Sequence, residues 1–413
     1  MHTKRRIDGP SRRALERDGG LRVALYSHDT MGLGHLRRNL LIADSLAGLP
    51  LRATNLLITG ALEANFFRLP ARADCLTLPR WRKDTAGGYA SGQLEMTGHD
   101  LARLRASSIC SALDVFAPDL VIVDKAPTGT AGELLPALEM LAERGETRIV
   151  LGLRDVLDAP EIVKQDWLSA DHANTIDQFF DAIWVYGDRR IYDLISEYGM
   201  PDKVSNKVTF TGYIDQSARV GVSHASTTQL LDTFSARGPI CACLVGGGQD
   251  GVSLAQAFID ALPEEGTVGV LVSGPFMPPA DMRHLQSLAK QRDNVYVLDF
   301  LPEADLLIER ADRVVAMAGY NTVCSLLSFE KQALLVPRTH PRREQLVRAE
   351  RLAELGLIDF LHPDQVNSHA LRNWLLGPTV RRPAARDHID FGGLENINRL
   401  TRELTSKPVL NGR

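Results

Sequence analysis

Short apolar runs alternate with helix-like stretches along the first half of the chain. The runs are rich in Leu and β-branched residues and lie at 21–27, 54–59, 75–78, 119–124, 148–153, 182–186 and 208–211. Segments of helical character lie between most of them, as at 34–46, 99–116 and 131–144. Strands that are apolar throughout and separated by helices are typical of a parallel sheet covered on both faces. The pattern therefore predicts a doubly wound α/β unit.

The alternation lapses over 214–238, which is rich in Ser, Thr, Ala and Gly, and then restarts. We predict further strands at 240–245, 268–273, 295–300, 313–316 and 333–336. Helices are predicted between and after them, at 253–262, 281–291, 303–309, 321–328 and 343–355. The expected fold class is α/β, with two Rossmann-like doubly wound parallel-sheet domains facing a cleft. A ligand is expected in that cleft, at the carboxyl ends of the strands.

These boundaries divide the chain into five predicted parts. A flexible basic tail is expected over 1–20, an N-terminal domain over 21–213 and a linker over 214–238. The C-terminal domain is predicted over 239–375. The remaining segment, 376–413, is expected to form a helix that packs back on the N-terminal domain.

Composition mainly excludes function classes. The 413 residues carry a net charge of −4, so nothing global favours a nucleic-acid partner. No apolar run approaches the roughly 18 residues that a membrane-spanning helix needs, and the N-terminus lacks the apolar core of a secretory signal. The five cysteines show no CxxC spacing and no HExxH motif occurs, which predicts a metal-free protein in the reducing cytoplasm. The basic tail would allow a peripheral contact with an anionic inner membrane face.

A glycine-rich turn follows the first predicted strand and opens a helix. Gly32 and Gly34 would let the backbone approach a ligand closely, and the helix start offers free N–H groups to an anion. Arg37 stands where the third glycine of a dinucleotide-binding motif would be, and the second strand ends at Gly60 without an acid. Nicotinamide dinucleotide binding is therefore disfavoured. A tight turn that holds no ligand is the alternative.

His35 and Asp124 are the predicted catalytic pair. An imidazole at a helix start in a cleft can accept a proton from a hydroxyl near neutral pH. Asp124 ends an apolar strand, so its carboxylate is expected at the same sheet edge, where it could orient His35. Strand-end aspartates also often cap the helix that follows, and that role remains the alternative.

A second glycine-rich turn follows the first strand of the second domain. Gly247, Gly248 and Gln249 lie in this turn, whose backbone N–H groups suit a phosphate or diphosphate. A flexible turn without a ligand is the alternative. Gly319, Asn321 and Thr322 later open another helix, and the last two could donate to phosphate oxygens. The arginines of the 343–355 helix are interpreted mostly as a solvated basic face.

The segment from Gly319 to Gln345 resembles the donor-binding region of nucleotide-sugar glycosyltransferases of the two-Rossmann GT-B class. Gly319, Thr322, Pro337 and Gln345 match the pattern. The resemblance extends to the glycine turns of both domains, roughly over 21–360. It is strongest to MurG-like enzymes, which attach N-acetylglucosamine to a lipid-linked peptidoglycan precursor, and to monogalactosyldiacylglycerol synthases. Bacterial predicted glycosyltransferases with GYNT and VPR motifs form the most similar group.

The resemblance implies an inverting, metal-independent hexosyltransferase that needs no cofactor. Its co-substrate would be a sugar nucleotide of the UDP-sugar type, and its acceptor a hydroxyl of a lipid or cell-envelope glycan precursor. His35 would act on the acceptor side, while Gln345 would lie near the donor sugar. The family's Glu, which grips the nucleotide ribose, corresponds to Ser325, so a bidentate ribose contact is missing.

Two other functions remain open on the same architecture. A nucleotide-sugar 2-epimerase would place several carboxylates around the sugar, and no such cluster accompanies the glycine turns. A nucleotide-sugar-binding protein without turnover is supported by Ser325. The basic and aromatic segment 79–89 could clamp an acceptor or contact anionic headgroups, and a solvated loop is the alternative.

Overall fold

The computed structural model describes residues 20–28, 33–83, 89–169, 171–218, 225–380 and 382–406. Gly32 and all but the last residue of the predicted basic tail therefore lie outside the described residues. Part of the 79–89 segment lies outside them as well. Within the described residues, no helix is long and apolar enough to cross a membrane.

A seven-stranded parallel sheet forms the centre of the first domain. The strands of this domain are β1 (Arg22–Ser27), β2 (Thr54–Thr59), β3 (Ala73–Thr77), β4 (Trp81–Lys83), β5 (Tyr89–Ser91), β6 (Leu120–Asp124), β7 (Arg148–Arg154), β8 (Ala182–Tyr186) and β9 (Val208–Phe210). The order in the main sheet is β3-β2-β1-β6-β7-β8-β9, and β4 and β5 form a separate antiparallel hairpin. The helices are α1 (Gly34–Ala47), α2 (Gly98–Phe116), α3 (Leu135–Arg144), α4 (Pro160–Ser169), α5 (His172–Phe179), α6 (Leu194–Tyr198) and α7 (Asp202–Ser205).

A six-stranded parallel sheet forms the centre of the second domain. Its strands are β10 (Ile240–Leu244), β11 (Val268–Val272), β12 (Val295–Leu298), β13 (Arg313–Ala316), β14 (Gln332–Leu335) and β15 (Asp359–Phe360), in the order β12-β11-β10-β13-β14-β15. The remaining helices are α8 (Ala225–Ser235), α9 (Val252–Ala261), α10 (Pro279–Ala289), α11 (Ala304–Arg310), α12 (Tyr320–Ser328), α13 (Glu344–Glu354), α14 (Ser368–Leu376), α15 (Ala385–His388) and α16 (Gly393–Ser406). The predicted fold class, two parallel-sheet α/β domains, is confirmed.

Burial on both faces explains why the central strands are apolar throughout. Val23 and Leu25 of β1 pack into one hydrophobic cluster, while Ala24 and Tyr26 pack into the cluster on the opposite face. All four are fully buried. Because successive side chains of a strand point to opposite faces, a strand covered by helices on both sides needs apolar residues at every position.

Two segments differ from their simplest sequence interpretation. Helix α8 forms inside 214–238, and its Leu231 and Phe234 are buried three residues apart. The 79–89 segment includes β4 and the first residue of β5, and Trp81 is buried there, with its indole Nε1 donating to Glu133 at 2.9 Å. Trp81 therefore anchors the hairpin and is not available on the surface to hold an acceptor or a headgroup.

Polar contacts join the two domains. Arg348 of α13 donates through Nη2 to Asp155, just after β7, at 2.7 Å. Asn321 Nδ2 donates to the carbonyl oxygen of Gly34 at 2.8 Å. The last helix, α16, packs against α1 of the first domain, where Asn398 Nδ2 donates to Ser45 Oγ at 2.9 Å. These contacts place the carboxyl ends of both sheets opposite each other across a cleft.

Candidate active site in the interdomain cleft

The cleft between the domains brings most of the predicted site residues together. It has a volume of about 260 Å³. The predicted residues that line it are Gly34, His35, Gly247, Gly319, Asn321, Thr322 and Gln345. A smaller cavity of about 160 Å³ shares Gly247 with the cleft and adds Gly248 and Gln249. Asp124 lies behind His35, and Ser325 lines neither cavity.

His35 and Asp124 contact each other directly. His35 Nδ1 lies 3.1 Å from Asp124 Oδ2, and the imidazole is partly exposed to the cleft while the carboxylate is fully buried. A protonated Nδ1 would donate to the carboxylate, which leaves Nε2 as the basic nitrogen. The arrangement orients an imidazole whose charged form the carboxylate would stabilise.

Arg38 completes this group and was not predicted from the sequence. Its Nη2 donates to both oxygens of Asp124, at 2.6 and 2.5 Å. The guanidinium lies 5.3 Å from the ring centre of Tyr186 and 5.4 Å from that of Tyr320. Arg38 and His35 hold the pKa of the Asp124 carboxyl well below its usual range, although burial opposes this. The one available sequence signal was the spacing of three residues from His35, which puts both side chains on one helix face.

The glycine turn after β10 is shaped by backbone that other residues would not adopt. Gly246 has φ +65° and Gly248 has φ +94°. A Cβ added at Gly248 would lie 2.2 Å from the carbonyl oxygen of Ser273. The turn therefore packs closely on the loop after β11, and Gly246 and Gly247 face the cleft. Backbone N–H groups in such turns suit anions.

Residues in the first turns of α12 lie in different environments, some at the cleft and one in the protein interior. Thr322 lines the cleft, and Asn321 uses its amide to reach Gly34 of the first domain. Ser325 is buried, and its hydroxyl lies 2.6 Å from Asp305 Oδ1, to which it donates. Asp305 also accepts from Arg37 Nη2 of α1 at 2.5 Å. A carboxylate therefore lies beside Ser325, at a position that no sequence pattern indicated.

The arginines of the 343–355 segment are not all solvated. Arg348 is fully buried and pairs with Asp155, contrary to the interpretation of a solvated face, because α13 packs this side chain into the domain interface. Arg351, one turn further, is partly exposed as expected. Gln345 Oε1 accepts from the backbone N–H of Arg338 at 3.0 Å, which fixes the Gln345 side chain at the cleft wall.

Arg154 and Glu344 also line the cleft and were not predicted. Arg154 ends β7, and burial lowers its pKa to about 10. Glu344 accepts from Arg338 Nη2 at 2.9 Å through Oε1. Within the described parts of the chain, no three His, Cys, Asp or Glu side chains are grouped so as to hold a metal ion.

Comparisons with known proteins show which domains and folds this chain resembles. Residues 242–376 match the glycosyltransferase family 28 C-terminal domain. The UDP-N-acetylglucosamine–N-acetylmuramyl-(pentapeptide) pyrophosphoryl-undecaprenol N-acetylglucosamine transferase of Haemophilus ducreyi is 29% identical over 101 residues. That match covers 24% of this chain and 28% of the relative, so it spans less than a third of the relative's length.

Solved structures resemble the whole chain. MurG from Acinetobacter baumannii superposes with a TM-score of 0.54 at 13% identity, covering 93% of this chain and 99% of MurG. A putative UDP-N-acetylglucosamine 2-epimerase from Listeria monocytogenes gives 0.60 at 12% identity, covering 94% and 96% of the two chains. At such identities the likeness shows the fold alone. The predicted resemblance to the GT-B glycosyltransferases is thereby confirmed: this chain has the GT-B fold, and residues 242–376 match the C-terminal domain of glycosyltransferase family 28.

Proposed function

We propose that the protein transfers a sugar from a nucleotide-diphosphate donor to an acceptor hydroxyl, with inversion at the anomeric carbon. One observation carries this proposal. The His35–Asp124 pair faces, across the cleft, the glycine turn and the α12 start of a family 28 domain. Displacement of a diphosphate requires a base that activates the attacking hydroxyl and groups that stabilise the departing anion, and the two walls of the cleft supply one each.

The displacement is a single step, and its first component is proton transfer to His35. Nε2 takes the proton of the acceptor hydroxyl as its oxygen attacks the anomeric carbon. The Asp124 carboxylate stabilises the imidazolium that forms, because it lies 3.1 Å from Nδ1. Arg38 keeps that carboxylate ionised and fixes its position from the opposite side.

The second component of the same step is departure of the diphosphate. The bond between the anomeric carbon and the diphosphate oxygen breaks on the side opposite to the attack, which inverts the configuration. Backbone N–H groups at Gly247 and Gly248 and at the start of α12 would hold the leaving group. Thr322 is positioned to donate its hydroxyl there. In this mechanism protein groups balance the diphosphate charge, and no metal is required.

The acceptor and the location of the protein belong to the same proposal. The name of the Haemophilus ducreyi relative specifies an undecaprenol-linked acceptor. We extend this to a lipid-linked or cell-envelope glycan acceptor, and to action in the cytoplasm at the inner membrane face.

The experiment combines binding and transfer. Purified full-length protein is titrated with UDP and with a panel of UDP-sugars by calorimetry, and labelled UDP-sugars are then incubated with candidate lipid and glycan acceptors. We expect UDP binding and transfer with inverted anomeric configuration, read by NMR. Absence of both nucleotide binding and transfer would refute the proposal. Binding without transfer or hydrolysis would instead support a nucleotide-sugar-binding protein.

The 2-epimerase alternative is tested in the same samples. The fold does not separate the two activities, because solved epimerases superpose as well as solved transferases do. The family 28 match favours transfer. Conversion of UDP-N-acetylglucosamine to its 2-epimer, followed by NMR, would show that the epimerase assignment is correct.

A further inference from the structure

Arg154 and Glu344 line the cleft from different domains and have no part in the proposed mechanism. Arg154 is the last residue of β7 in the first domain, and Glu344 is the first residue of α13 in the second. Glu344 is the strongest attractive charge that acts on Arg154, and Arg154 is the strongest that acts on Glu344. The cleft therefore has a cation on one wall and a carboxylate that attracts it on the other.

Both side chains have a buried polar atom without a hydrogen-bond partner. Arg154 Nε and Glu344 Oε2 make no hydrogen bond to any described residue. Glu344 uses its other oxygen, Oε1, to accept from Arg338 Nη2 at 2.9 Å. Most buried polar atoms in proteins are hydrogen-bonded. Two unsatisfied atoms of opposite charge in one cleft therefore indicate a ligand group that completes both.

The charges of the pair decide which ligand group fits. Burial raises the pKa of the Glu344 carboxyl, but the charges of Arg154, Arg338 and Arg348 outweigh burial and hold this pKa below its ordinary value. Burial lowers the pKa of Arg154 to about 10, so both groups are ionised at neutral pH. A ligand group between them must accept from the guanidinium and donate to the carboxylate. A hydroxyl does both, whereas Glu344 would repel a phosphate or a carboxylate.

The pair lies close to the proposed base. The charge of Asp124 acts on Arg154, and Asp124 Oδ2 lies 3.1 Å from His35 Nδ1. Glu344 directly precedes Gln345, and both line the cleft. In the proposed transfer the anomeric carbon must lie next to the hydroxyl that His35 deprotonates. The ring of the transferred sugar therefore occupies this part of the cleft.

We propose that Arg154 and Glu344 together bind one hydroxyl of the transferred sugar. Arg154 donates to the hydroxyl oxygen, and the O–H group donates to Glu344 Oε2. The two residues thereby determine specificity, because a sugar without this hydroxyl leaves a buried cation and a buried carboxylate unsatisfied. The inference rests on the proposed transferase function and adds the class of donor to it, a neutral sugar with a free hydroxyl at one position.

Donor analogues that each lack one sugar hydroxyl test the inference in the full-length protein. The UDP-sugar that supports transfer is compared with its complete set of monodeoxy analogues by initial rates, and with the corresponding UDP-uronate. We expect one monodeoxy analogue to lower kcat/KM by at least about tenfold, since loss of a hydrogen bond to a charged group costs that much. The uronate should react more slowly than the neutral parent sugar.

Two variants assign the hydroxyl to this pair. In Glu344→Met and, separately, in Arg154→Met, kcat/KM for the parent sugar should fall by about tenfold or more. The sensitive monodeoxy analogue should then react about as fast as the parent, because the hydroxyl has lost its partner. UDP affinity, measured by calorimetry, should stay unchanged in both variants, since the hydroxyl belongs to the sugar.

Exposed residues provide the matched controls. Glu350→Met, on the same helix α13, and Arg103→Met, on α2, should keep the full preference for the hydroxyl. Circular dichroism and thermal unfolding verify that each variant is folded. If one of the two site variants does not fold, the other decides the result.

Several results would overturn the inference. Equal reaction of all monodeoxy analogues would show that the cleft holds no sugar hydroxyl in this way, and faster transfer of the uronate would contradict a neutral donor. A preference that persists in a folded site variant would assign the hydroxyl to other groups. Loss of UDP affinity in Arg154→Met would assign that cation to the diphosphate.

A failure of the proposed function would look different. In each of the results above, wild-type protein still binds UDP and transfers the sugar, so only the hydroxyl assignment is lost. If wild-type protein neither bound UDP nor transferred a sugar, the proposed function would be refuted, and this inference with it.

Discussion

Arg348 and Asp155 form a buried ion pair across the domain interface. Arg348 Nε and Nη2 both donate to the carboxylate, with a shortest distance of 2.7 Å, and both side chains are at most 2% exposed. Tyr213 Oη donates to the same carboxylate at 2.9 Å. The pair fixes α13, which carries Gln345, relative to the sheet edge that carries Asp124.

Removing one partner should destabilise the protein strongly. We expect Arg348→Met to lower the free energy of unfolding by about 3–5 kcal/mol, because the Asp155 charge remains buried without its partner. Urea unfolding measures this. Arg351→Met, on the same helix but partly exposed, should cost no more than about 1 kcal/mol. If both substitutions lowered the free energy of unfolding equally, the Arg348–Asp155 pair would not be a major contributor to stability.

His35→Ala tests the proposed base. Transfer should fall by about 10²- to 10⁴-fold, which is the usual contribution of a general base, while UDP affinity should stay unchanged. Initial rates and calorimetry give the two values. His362→Ala is the control, since His362 lies exposed beyond β15 in the second domain. Retained transfer in the His35 variant would mean that another group accepts the proton.

Asp124 should contribute stability that depends on pH. Its pKa is depressed in the folded protein by Arg38 and His35. A depressed carboxyl pKa stabilises the folded state above the unfolded pKa of about 4, and this stabilisation is lost as the pH falls towards the folded value. Asp124→Asn should therefore lower the free energy of unfolding most at neutral pH. The difference in this free energy between the variant and wild type should shrink below about pH 4.

Urea unfolding at a series of pH values measures this dependence. Asp260→Asn is the control, because Asp260 lies exposed on α9. Its substitution should change the free energy of unfolding only slightly at every pH. If the free energies of unfolding of the Asp124 variant and wild type differed by the same amount at every pH, the lowered pKa of Asp124 would be contradicted.

Gly248→Ala tests the glycine turn of the second domain. The added Cβ would lie 2.2 Å from the Ser273 carbonyl oxygen, so the turn must move. We expect lower stability and UDP affinity reduced by at least about tenfold, a loss comparable to that of hydrogen bonds to a charged group. Thermal unfolding and calorimetry measure the two effects.

Gly266→Ala separates backbone strain from collision. Gly266 has φ +77°, and an added Cβ there meets nothing within 4 Å. This variant should lose about 1–2 kcal/mol of stability through the left-handed backbone alone and bind UDP normally. If both variants bound UDP equally well, the turn at Gly248 would not hold the nucleotide.

The sequence predicted the repeating architecture well because local patterns carry it. The predicted strands at 54–59, 182–186 and 313–316 coincide with β2, β8 and β13 in the structure. A strand buried on both faces must be apolar at every position, so burial is visible in the sequence itself. Helix α8 was not predicted because its few buried residues lie in a polar segment, and it packs against α11, which comes much later in the chain.

The site could be predicted only in part. Glycine turns and polar residues at strand ends are local signals, and they indicated His35, Asp124 and the 246–249 turn. Arg38, Arg348 and Asp305 were missed because a buried charge is recognised by its partner, and their partners lie 86, 193 and 268 residues away in the chain. Arg154 and Glu344, which also line the cleft, were missed for a similar reason, since they come together only after folding.

The sequence by itself determined two parallel α/β domains, with a glycine turn after the first strand of each. Those features depend on hydrophobic periodicity and backbone freedom, which act over a few residues. Only the tertiary structure decided that His35 contacts Asp124 and that Arg348 joins the domains. Such relationships depend on how two sheets are placed against each other, because electrostatic and packing partners are chosen by distance in space and not by distance along the chain.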